Sequence, residues 1–310
     1  MELSVLIPSF RRPEPLLATI RDILKQEDVE FEVIVVDQNT TWPSELEAAR
    51  LEVLRDERVQ WITGYPPGVV AARNHAAQKA IGEVLLFIDD DVRIEYRGFI
   101  KGHLEPYLDP RVAAVTGAEL YLGTPQLEQF RVAEFGVIQF GEAWVDRSPL
   151  AQVIGFSRSS WRGEVVCSFC TCNASIRRSV FMKVGGFDEG FEGNAYGDDY
   201  DLAIRMVEAG HRVVYSPKPW LIHLQLPMGG LRLSDADNGT SEFARAVSPL
   251  LFFFRHARKG LVWDLFYRHV LRKTVLRRGN LIPPWNQIPA WIGFLRAIPV
   301  AMRRAKRTSP

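Results

Sequence analysis

The chain has 310 residues, of which 47% are hydrophobic and 24% are charged, and its formal net charge is +1. This length and composition exclude a small or highly polar protein that could not bury a hydrophobic core. They suit one large α/β domain with an extension. The charges are, however, unevenly distributed between the two parts of the chain. Residues 243–310 contain 14 Lys and Arg and the single acid Asp264, whereas residues 1–242 contain the other 24 basic residues and 36 acids. The basic C-terminal segment is therefore expected to meet something anionic.

The three cysteines, Cys167, Cys170 and Cys172, are odd in number and closely spaced. This pattern argues against a disulfide framework and fits a reducing compartment. Cys167 and Cys170 have CxxC spacing, but no second CxxC and no HxxxH follows to complete a zinc site. We therefore predict small buried thiols on a strand rather than a structural metal.

Two kinds of membrane signal are missing from the sequence. The N-terminus has no basic stretch followed by an apolar one, so no signal peptide is predicted. No apolar run approaches 18 residues, so no spanning helix is predicted. These features favour a cytoplasmic protein.

Apolar runs alternate with helical periodicity along the first 90 residues. The pattern predicts strands at 3–8, 31–36, 59–62 and 84–88, with helices between them at 13–24, from 41 onward, and at 69–80. This alternation is typical of a doubly wound, mostly parallel sheet. Ligands of such sheets bind outside the carboxyl ends of the strands, which is where Pro8, Asp37 and Asp89 fall.

The pattern weakens in the next part of the chain. It predicts a strand at 112–122, loops and short strands over 123–165, a short helix ending at Gly185, a helix at 202–209, and strands at 211–215 and 221–224. After Glu242, apolar and aromatic residues alternate with basic ones, which predicts helices.

Two aspartate clusters carry the chemistry. Asp89-Asp90-Asp91 closes the apolar run 84–88, and Asp198-Asp199-Tyr200-Asp201 opens the predicted helix at 202. Like charges at the end of a buried strand repel unless a cation binds there, and carboxylate oxygens suit a hard divalent ion. Such an ion can hold a diphosphate leaving group, and the second cluster can supply a general base. The alternatives are a solvated acidic turn for the first cluster and helix capping for the second.

Five segments in this order resemble inverting glycosyltransferases of family 2 with the GT-A fold. They are Val5–Arg12, Val35–Asp37, Gly68–Asn74, Phe87–Asp91, and Gly185–Glu189 followed by Asp198–Leu202. The resemblance covers roughly residues 1–225. It implies a GT-A domain at 1–225, with a Rossmann-like nucleotide-sugar half at about 1–122 and an acceptor half at 123–225. A basic, aromatic-rich helical extension follows at 226–310.

The resemblance also implies residue roles on the donor side. Asp89 and Asp91 match the two acids of the DXD motif, so Asp91 would bind Mn²⁺ or Mg²⁺ and Asp89 would contact the nucleotide sugar, with Asp90 as an extra donor-side acid. His223 would complete the metal site, and the alternative is an ordinary half-buried histidine at a strand end.

Further donor-binding residues follow from the same comparison. Pro8, Ser9 and Arg11 would contact the nucleoside, and Asp37 would accept hydrogen bonds from the base. Gln38 stands where the family often has a second acid. Arg73 could pair with the diphosphate, unless it is a plain surface arginine.

On the acceptor side, Asp199 matches the catalytic base of the family. It would take the proton of the acceptor hydroxyl, while Asp198 would raise its proton affinity or touch the acceptor. Asp201 is interpreted as structural, because acids early in a helix suit the positive end of its dipole.

The implied function is metal-dependent, inverting hexosyl or deoxyhexosyl transfer from a nucleotide-diphosphate sugar, in glycan, polysaccharide or glycolipid synthesis. A nucleotidyltransferase is the alternative enzyme, but the turn Ser9–Pro15 lacks the glycines of a triphosphate loop. A non-catalytic scaffold that binds glycan or membrane is the other alternative. No nucleic acid is expected as a partner.

The extension at 243–310 allows two interpretations. Basic helices with an aromatic apolar face can lie in a membrane interface, which would place the protein at the inner face of the membrane with a glycan or lipid-linked acceptor. Alternatively, the helices form an appendage packed on the catalytic domain.

Overall fold

The computed structural model describes residues 1–141, 158–193, 195–230, 242–256, 263, 266–276 and 287–307. Its strands are β1 (Leu3–Ser9), β2 (Phe31–Asp37), β3 (Val59–Thr63), β4 (Val84–Ile88), β5 (Val92–Arg93), β6 (Val112–Leu120), β7 (Phe140–Gly141), β8 (Gly163–Val166), β9 (Asn173–Arg177) and β10 (Arg212–His223). Its helices are α1 (Pro13–Leu24), α2 (Glu47–Leu54), α3 (Val69–Lys79), α4 (Phe99–Leu104), α5 (Pro125–Arg131), α6 (Arg178–Lys183), α7 (Asp198–Glu208), α8 (Glu242–His256) and α9 (Gln287–Arg307).

One mixed sheet organises the domain, in the order β3-β2-β1-β4-β9-β6-β10-β8-β7, with β5 paired to β10. Strands β3, β2, β1 and β4 are parallel, β9 runs antiparallel between β4 and β6, and β10 is parallel to β6. Every residue of β1, β4 and β6 is buried. Helices on both faces account for this burial, as in other doubly wound sheets. The predicted fold class is therefore confirmed.

The parallel register brings the strand ends together at one edge of the sheet. Ser9 at the end of β1 lies beside Asp37 at the end of β2, and Leu120 at the end of β6 lies beside Ile222. Asp89 follows the last residue of β4 at the same edge. The chain thus collects its polar strand ends in one crevice.

Several local predictions differ from the structure. The predicted strands at 211–215 and 221–224 are one strand, β10, with an irregular register between Tyr215 and Trp220. Helix α7 begins at Asp198, four residues earlier than predicted, and a short helix, α5, interrupts the region interpreted as loops. The cysteines lie between β8 and β9 rather than on a strand. Part of the 123–165 region lies outside the described residues.

The described part of the extension packs on the domain. Side chains of α8 and α9 belong to the same hydrophobic core as β4, β6 and α7, including Leu250, Phe252 and Phe294. Polar contacts reinforce the packing, because Ser248 Oγ donates to Glu192 O at 2.6 Å and Arg304 Nη1 donates to Gly190 O at 2.7 Å. These helices therefore form an appendage that packs on the domain.

Asp201 ties α7 to the extension. Its buried carboxylate contacts Arg205 on its own helix, and Arg255 (2.7 Å) and His256 (2.9 Å) on α8. Burial alone would raise the pKa of Asp201, but these three partners hold it far below its ordinary value. A structural role for Asp201 was predicted, but the cations around it, rather than the helix dipole alone, account for its position.

Among the described helices, none combines the length and the apolar composition that crossing a bilayer requires.

Candidate active site

A cavity of about 610 Å³ lies at the carboxyl edge of the sheet. Its walls are the turns after β1 and β4, the start of α3 and the segment before α7. The predicted site residues that line it are Pro8, Ser9, Arg11, Arg73, Asp89, Asp90, Asp91 and His223. Asp37, Asp198 and Asp199 are not among its lining residues.

The three acids after β4 face different partners. Asp90 is 3% exposed and accepts hydrogen bonds from Ser9 Oγ (2.7 Å) and Arg12 Nη1 (3.0 Å). Burial raises the pKa of Asp90 to about 7, although Arg12 opposes the shift. Arg12 thus relieves much of the charge conflict that the triplet alone suggested.

Arg12 was missed in the sequence analysis as a site residue. It is 7% exposed, and it also donates to the carbonyls of Met228 (2.9 Å) and Leu226 (3.3 Å). It therefore joins the turn after β1 to the segment that follows His223. Its position directly after the first strand could have indicated a site residue. Arg11 has an equivalent position and the same charge, so the sequence alone did not distinguish the two.

Asp91 and His223 lie against each other at the end of β10. Asp91 Oδ2 accepts the backbone N–H of Leu226 at 3.1 Å. Its Oδ1 is 3.4 Å from His223 Nε2 and 3.0 Å from Arg12 Nη1, yet this buried atom makes no hydrogen bond to the described residues. Burial would raise the pKa of Asp91, but His223 and Arg12 hold it below its ordinary value.

Glu119 on β6 fixes the orientation of His223. His223 Nδ1 lies 2.7 Å from Glu119 Oε1, which leaves Nε2 directed at Asp91. Burial would lower the pKa of His223, but Asp91 and Glu119 together raise it to about 10. A carboxylate behind a histidine in this way is the usual arrangement around metal-ligating histidines.

These side chains fit a hard divalent cation. Ligand atoms of Asp89, Asp91 and His223 all lie within 4.8 Å of one another. The buried Asp91 Oδ1 without a hydrogen bond is an acceptor for such an ion. Two carboxylates with one imidazole suit Mn²⁺ better than Mg²⁺, because Mg²⁺ prefers oxygen ligands alone.

Arg73 joins the two acidic clusters. Its Nη2 lies 3.2 Å from Asp89 Oδ1, and its Nη1 lies 3.0 Å from Asp198 Oδ2. Arg73 is 6% exposed, so the alternative of a plain surface arginine is wrong. The adjacent Asn74 holds the same junction, because its side chain exchanges hydrogen bonds with the backbone of Phe187 at 2.9 and 3.0 Å.

Asp198 and Asp199 form the first turn of α7. Burial raises the pKa of Asp198 to about 7 against the charge of Arg73. Asp199 is half-buried, and within the described part of the chain its carboxylate accepts one hydrogen bond, from Tyr200 N at 2.9 Å. Burial also raises the pKa of Asp199, although Arg158 and Arg73 oppose the shift.

Arg158 connects the metal-ligand side to α7. It lies 2.8 Å from Glu119 Oε2 through Nη1 and donates to Tyr200 Oη at 2.9 Å through Nη2. A continuous polar path therefore runs from His223 through Glu119 and Arg158 to the residue beside Asp199. Sequence reasoning found neither Glu119 nor Arg158, because neither belongs to a motif.

Asp37 is buried beside the cavity. Its Oδ1 accepts from the backbone and the side chain of Asn39, and its Oδ2 accepts from Trp42 Nε1 (2.8 Å) and Trp61 Nε1 (3.1 Å). These bonds fill the usual acceptor capacity of a carboxylate. Its neighbour Gln38 lines the cavity instead, and contact of Asp37 with a nucleobase stays a prediction.

Sequence comparison assigns a family to most of this domain. Residues 4–185 match the model for glycosyl transferase family 2. The O-antigen biosynthesis protein RfbC of Myxococcus xanthus is 30% identical over 226 residues, which are 72% of this chain and 17% of that protein. The chain therefore spans less than a fifth of this relative.

Structural comparison supports the same fold. A mannosyltransferase of Pyrobaculum calidifontis, in complex with GDP-Man and Mn²⁺, aligns with a TM-score of 0.54 and 18% identity over 99% of this chain and 79% of its own. Residues 1–349 of TarS of S. aureus, in complex with UDP-GlcNAc, align with a TM-score of 0.62 and 15% identity over 96% and 82%. At these identities the likeness establishes the fold.

Proposed function

Because the chain belongs to glycosyl transferase family 2, we propose that it transfers a sugar from a nucleotide-diphosphate donor to an acceptor hydroxyl, with inversion. One observation carries this proposal. One cavity is lined by Pro8, Ser9, Asp89 and Asp91, which lie at or after strand ends, and by His223, which is more than 130 positions later in the chain. The product would be a glycan, a polysaccharide or a glycolipid.

On the donor side, Pro8, Ser9 and Arg11 would contact the nucleoside, and Arg73 and Asp89 would contact the sugar diphosphate, since all five line the cavity. Arg11 is exposed at the cavity wall and has a positive φ of 57°, a conformation uncommon outside glycine. Backbone held in this way is often associated with ligand contact. Asp90 supports the site by accepting a hydrogen bond from Arg12.

Asp91 and His223 would hold a divalent cation, with Asp89 as a third ligand. Mn²⁺ in this position would offset the charge that builds on the diphosphate as it leaves. Glu119 keeps Nε2 of His223 directed at the site, where the ion would displace the proton of this nitrogen. Arg12 stays beside Asp91 and balances the remaining negative charge.

Asp199 is the proposed base. Its carboxylate would take the proton from the acceptor hydroxyl while that oxygen attacks the anomeric carbon from the side opposite the diphosphate. Its raised pKa favours this role, since a base works best with a pKa nearer the working pH. Asp198, paired with Arg73, positions the first turn of α7 against the donor side.

A panel of nucleotide sugars separates this function from its alternatives. With Mn²⁺ present, the correct donor should raise the melting temperature, since a ligand that binds the folded state stabilises it. Release of nucleoside diphosphate should follow when an acceptor is added. Pyrophosphate release from a nucleoside triphosphate would indicate a nucleotidyltransferase, and binding without turnover would indicate a scaffold.

We further propose that α9 places the protein on the cytoplasmic face of a membrane. One side of α9 packs on the core through Ala290, Phe294, Ala297, Ala301 and Ala305. The opposite side exposes Ile288 (62%), Trp291 (40%), Ile292 (53%), Leu295 (60%) and Met302 (43%). Arg296, Arg303 and Lys306 are exposed along the same helix. Apolar side chains bordered by basic ones are typical of helices that lie in an anionic membrane interface.

The inner side of the same helix contacts the wall of the cavity. Arg304 on α9 lies 3.1 Å from Glu192 Oε2, and Glu192 lines the cavity. A lipid-linked acceptor held in the interface would therefore be delivered beside the active site. The membrane surface and such an acceptor are the proposed partners, with the nucleotide-sugar donor.

A further inference from the structure

A second cluster of ligand atoms lies behind His223, on the side away from Asp91. Ligand atoms of Glu119, Cys172 and His223 all lie within 4.8 Å of one another, and all three residues are buried. They come from β6, from the segment between β8 and β9, and from the end of β10. Their sequence separation hid the cluster from an analysis based on cysteine spacing alone.

A second thiol adjoins the cluster. Cys170 Sγ lies 3.4 Å from Cys172 Sγ. Two sulfurs bound to one tetrahedral Zn²⁺ at about 2.3 Å each would be about 3.7 Å apart, which is close to this spacing. Cys170 is half-buried, so its side chain has room for such an adjustment.

We propose that Cys172, Glu119 and His223, with Cys170 as the fourth ligand, form a Zn²⁺ site separate from the one formed by Asp89 and Asp91. Thiolate, imidazole and carboxylate in tetrahedral arrangement are the ligands that zinc takes in proteins. Hard ions such as Mn²⁺ and Mg²⁺ do not favour thiolates, so the two sites differ in the metal they select.

Binding at this cluster requires that Cys172 lose its thiol proton. The neighbouring Cys170 and burial hold the pKa of Cys172 well above its ordinary value, so its sulfur keeps a proton. On binding, zinc would displace this proton, which would be released to solvent. Arg158, 2.8 Å from Glu119 Oε2, would keep the carboxylate in place.

Zinc in this cluster would occupy Nδ1 of His223. At present Nδ1 faces Glu119 Oε1 at 2.7 Å, and Nε2 faces Asp91. Zinc on Nδ1 would widen the contact with Glu119 to about 3.3 Å, the spacing of two ligands on one tetrahedral ion. Zinc on Nδ1 would release the proton of that nitrogen to solvent and leave the proton on Nε2, so that Nε2 would donate to Asp91 and be lost as a ligand. Zinc would therefore inhibit, a consequence that rests on the proposed role of His223.

The binding test uses the full-length protein, Zn²⁺ alone and a competing chromophoric chelator. Cys172→Ser should weaken zinc binding by about tenfold or more, since it removes one of the four proposed zinc ligands. Cys167→Ser is the matched control, because Cys167 is a buried thiol outside the cluster. Replacing zinc by Co²⁺ should give a sulfur-to-cobalt charge-transfer band that is weaker in Cys172→Ser, which keeps only the Cys170 thiolate. Unchanged zinc affinity in Cys172→Ser, or no such band, would overturn the proposal.

A second measurement needs no variant. Zn²⁺ should protect Cys170, the half-buried thiol of the cluster, from iodoacetamide in the unmodified protein, as mapped by mass spectrometry, and leave the alkylation of Cys167 unchanged. Equal alkylation of Cys170 with and without zinc would also overturn the proposal. Both tests report binding, so their result does not depend on whether glycosyl transfer is found. Where transfer is found, Zn²⁺ added at constant Mn²⁺ should inhibit wild type at about tenfold lower concentration than Cys172→Ser.

Discussion

Arg73 Nη1 lies 3.0 Å from Asp198 Oδ2, a buried ion pair between residues 125 positions apart in the chain. The same guanidinium reaches Asp89 at 3.2 Å. The pair thus connects α3 to the first turn of α7, where the proposed base lies. Since both partners are almost fully buried, neither charge has water as an alternative partner.

Replacing Arg73 by Met should strongly destabilise the domain. The change removes the cation beside Asp198 and Asp89, and breaking a buried ion pair from one side costs at most about 3–5 kcal/mol, less where the remaining carboxyl takes up a proton. Urea denaturation at pH 7 measures the loss. Arg21→Met, which breaks an exposed pair with Glu52, is the control and should cost less than about 1 kcal/mol. The double variant Arg73→Met/Asp198→Asn should be more stable than Arg73→Met alone, and an additive loss would contradict the coupling.

Asp198 should also give stability a particular pH dependence. Burial raises its folded-state pKa to about 7, whereas an unfolded aspartate titrates near pH 3.9. Between these values the folded state holds a proton that the unfolded state has lost, so the free energy of unfolding falls as pH rises. The slope from this residue is at most about 1.4 kcal/mol per pH unit. Asp198→Asn should flatten the curve between pH 4 and 7, and an unchanged curve in the variant would refute this assignment.

Replacing Asp199 by Asn should reduce turnover and spare donor binding. The amide cannot accept the acceptor proton, and a general base is worth about 10²–10⁴-fold in rate. Kinetics give the fall in kcat, and calorimetry gives the Kd for the donor, which should stay within about twofold because no donor contact is removed. Asp56→Asn, a surface change with Arg58 as its partner, is the control. The role is ruled out by a fall in kcat smaller than about tenfold.

The metal-site prediction separates a ligand from a residue that positions one. Asp91→Asn should abolish Mn²⁺-dependent donor binding, because it removes a first ligand. Glu119→Gln should weaken Mn²⁺ binding by about 10–100-fold without abolishing it, as loss of a carboxylate behind a ligating histidine usually does. Manganese titration followed by donor binding measures both. Equal, small effects of the two variants would show that the ion binds elsewhere.

The sequence predicted the strands, the crevice and the family because each depends on local patterns. The apolar run 84–88 followed by acids specifies both a buried strand and polar residues at its end. The sequence could not show that Asp90 bonds inward to Arg12, or that Glu119 stands behind His223, because these contacts form only when β1, β4, β6 and β10 align. The same reason hid the partners of Cys172.

In the C-terminal extension, the sequence predicted the charges but not the direction in which they face. Its composition predicted contact with an anionic surface, yet Arg255 and Arg304 bind acids of the domain instead. Composition counts charges but does not say which of them face inward. The exposed remainder on α9 is what a membrane could meet.

The membrane proposal predicts that binding depends on the outer side of α9. The full-length protein should sediment with anionic vesicles at low salt and be released as salt rises, because basic residues contribute about 1 kcal/mol each near such a surface. Ile292→Ser/Leu295→Ser should weaken this binding about tenfold or more, since both exposed side chains lose their apolar burial in the interface. Leu51→Ser, an exposed leucine on α2, is the matched control and should bind like wild type. Because all three side chains are exposed, the melting temperature should hardly change. If the full-length protein ignores anionic vesicles at low salt, the outer side of α9 serves another partner.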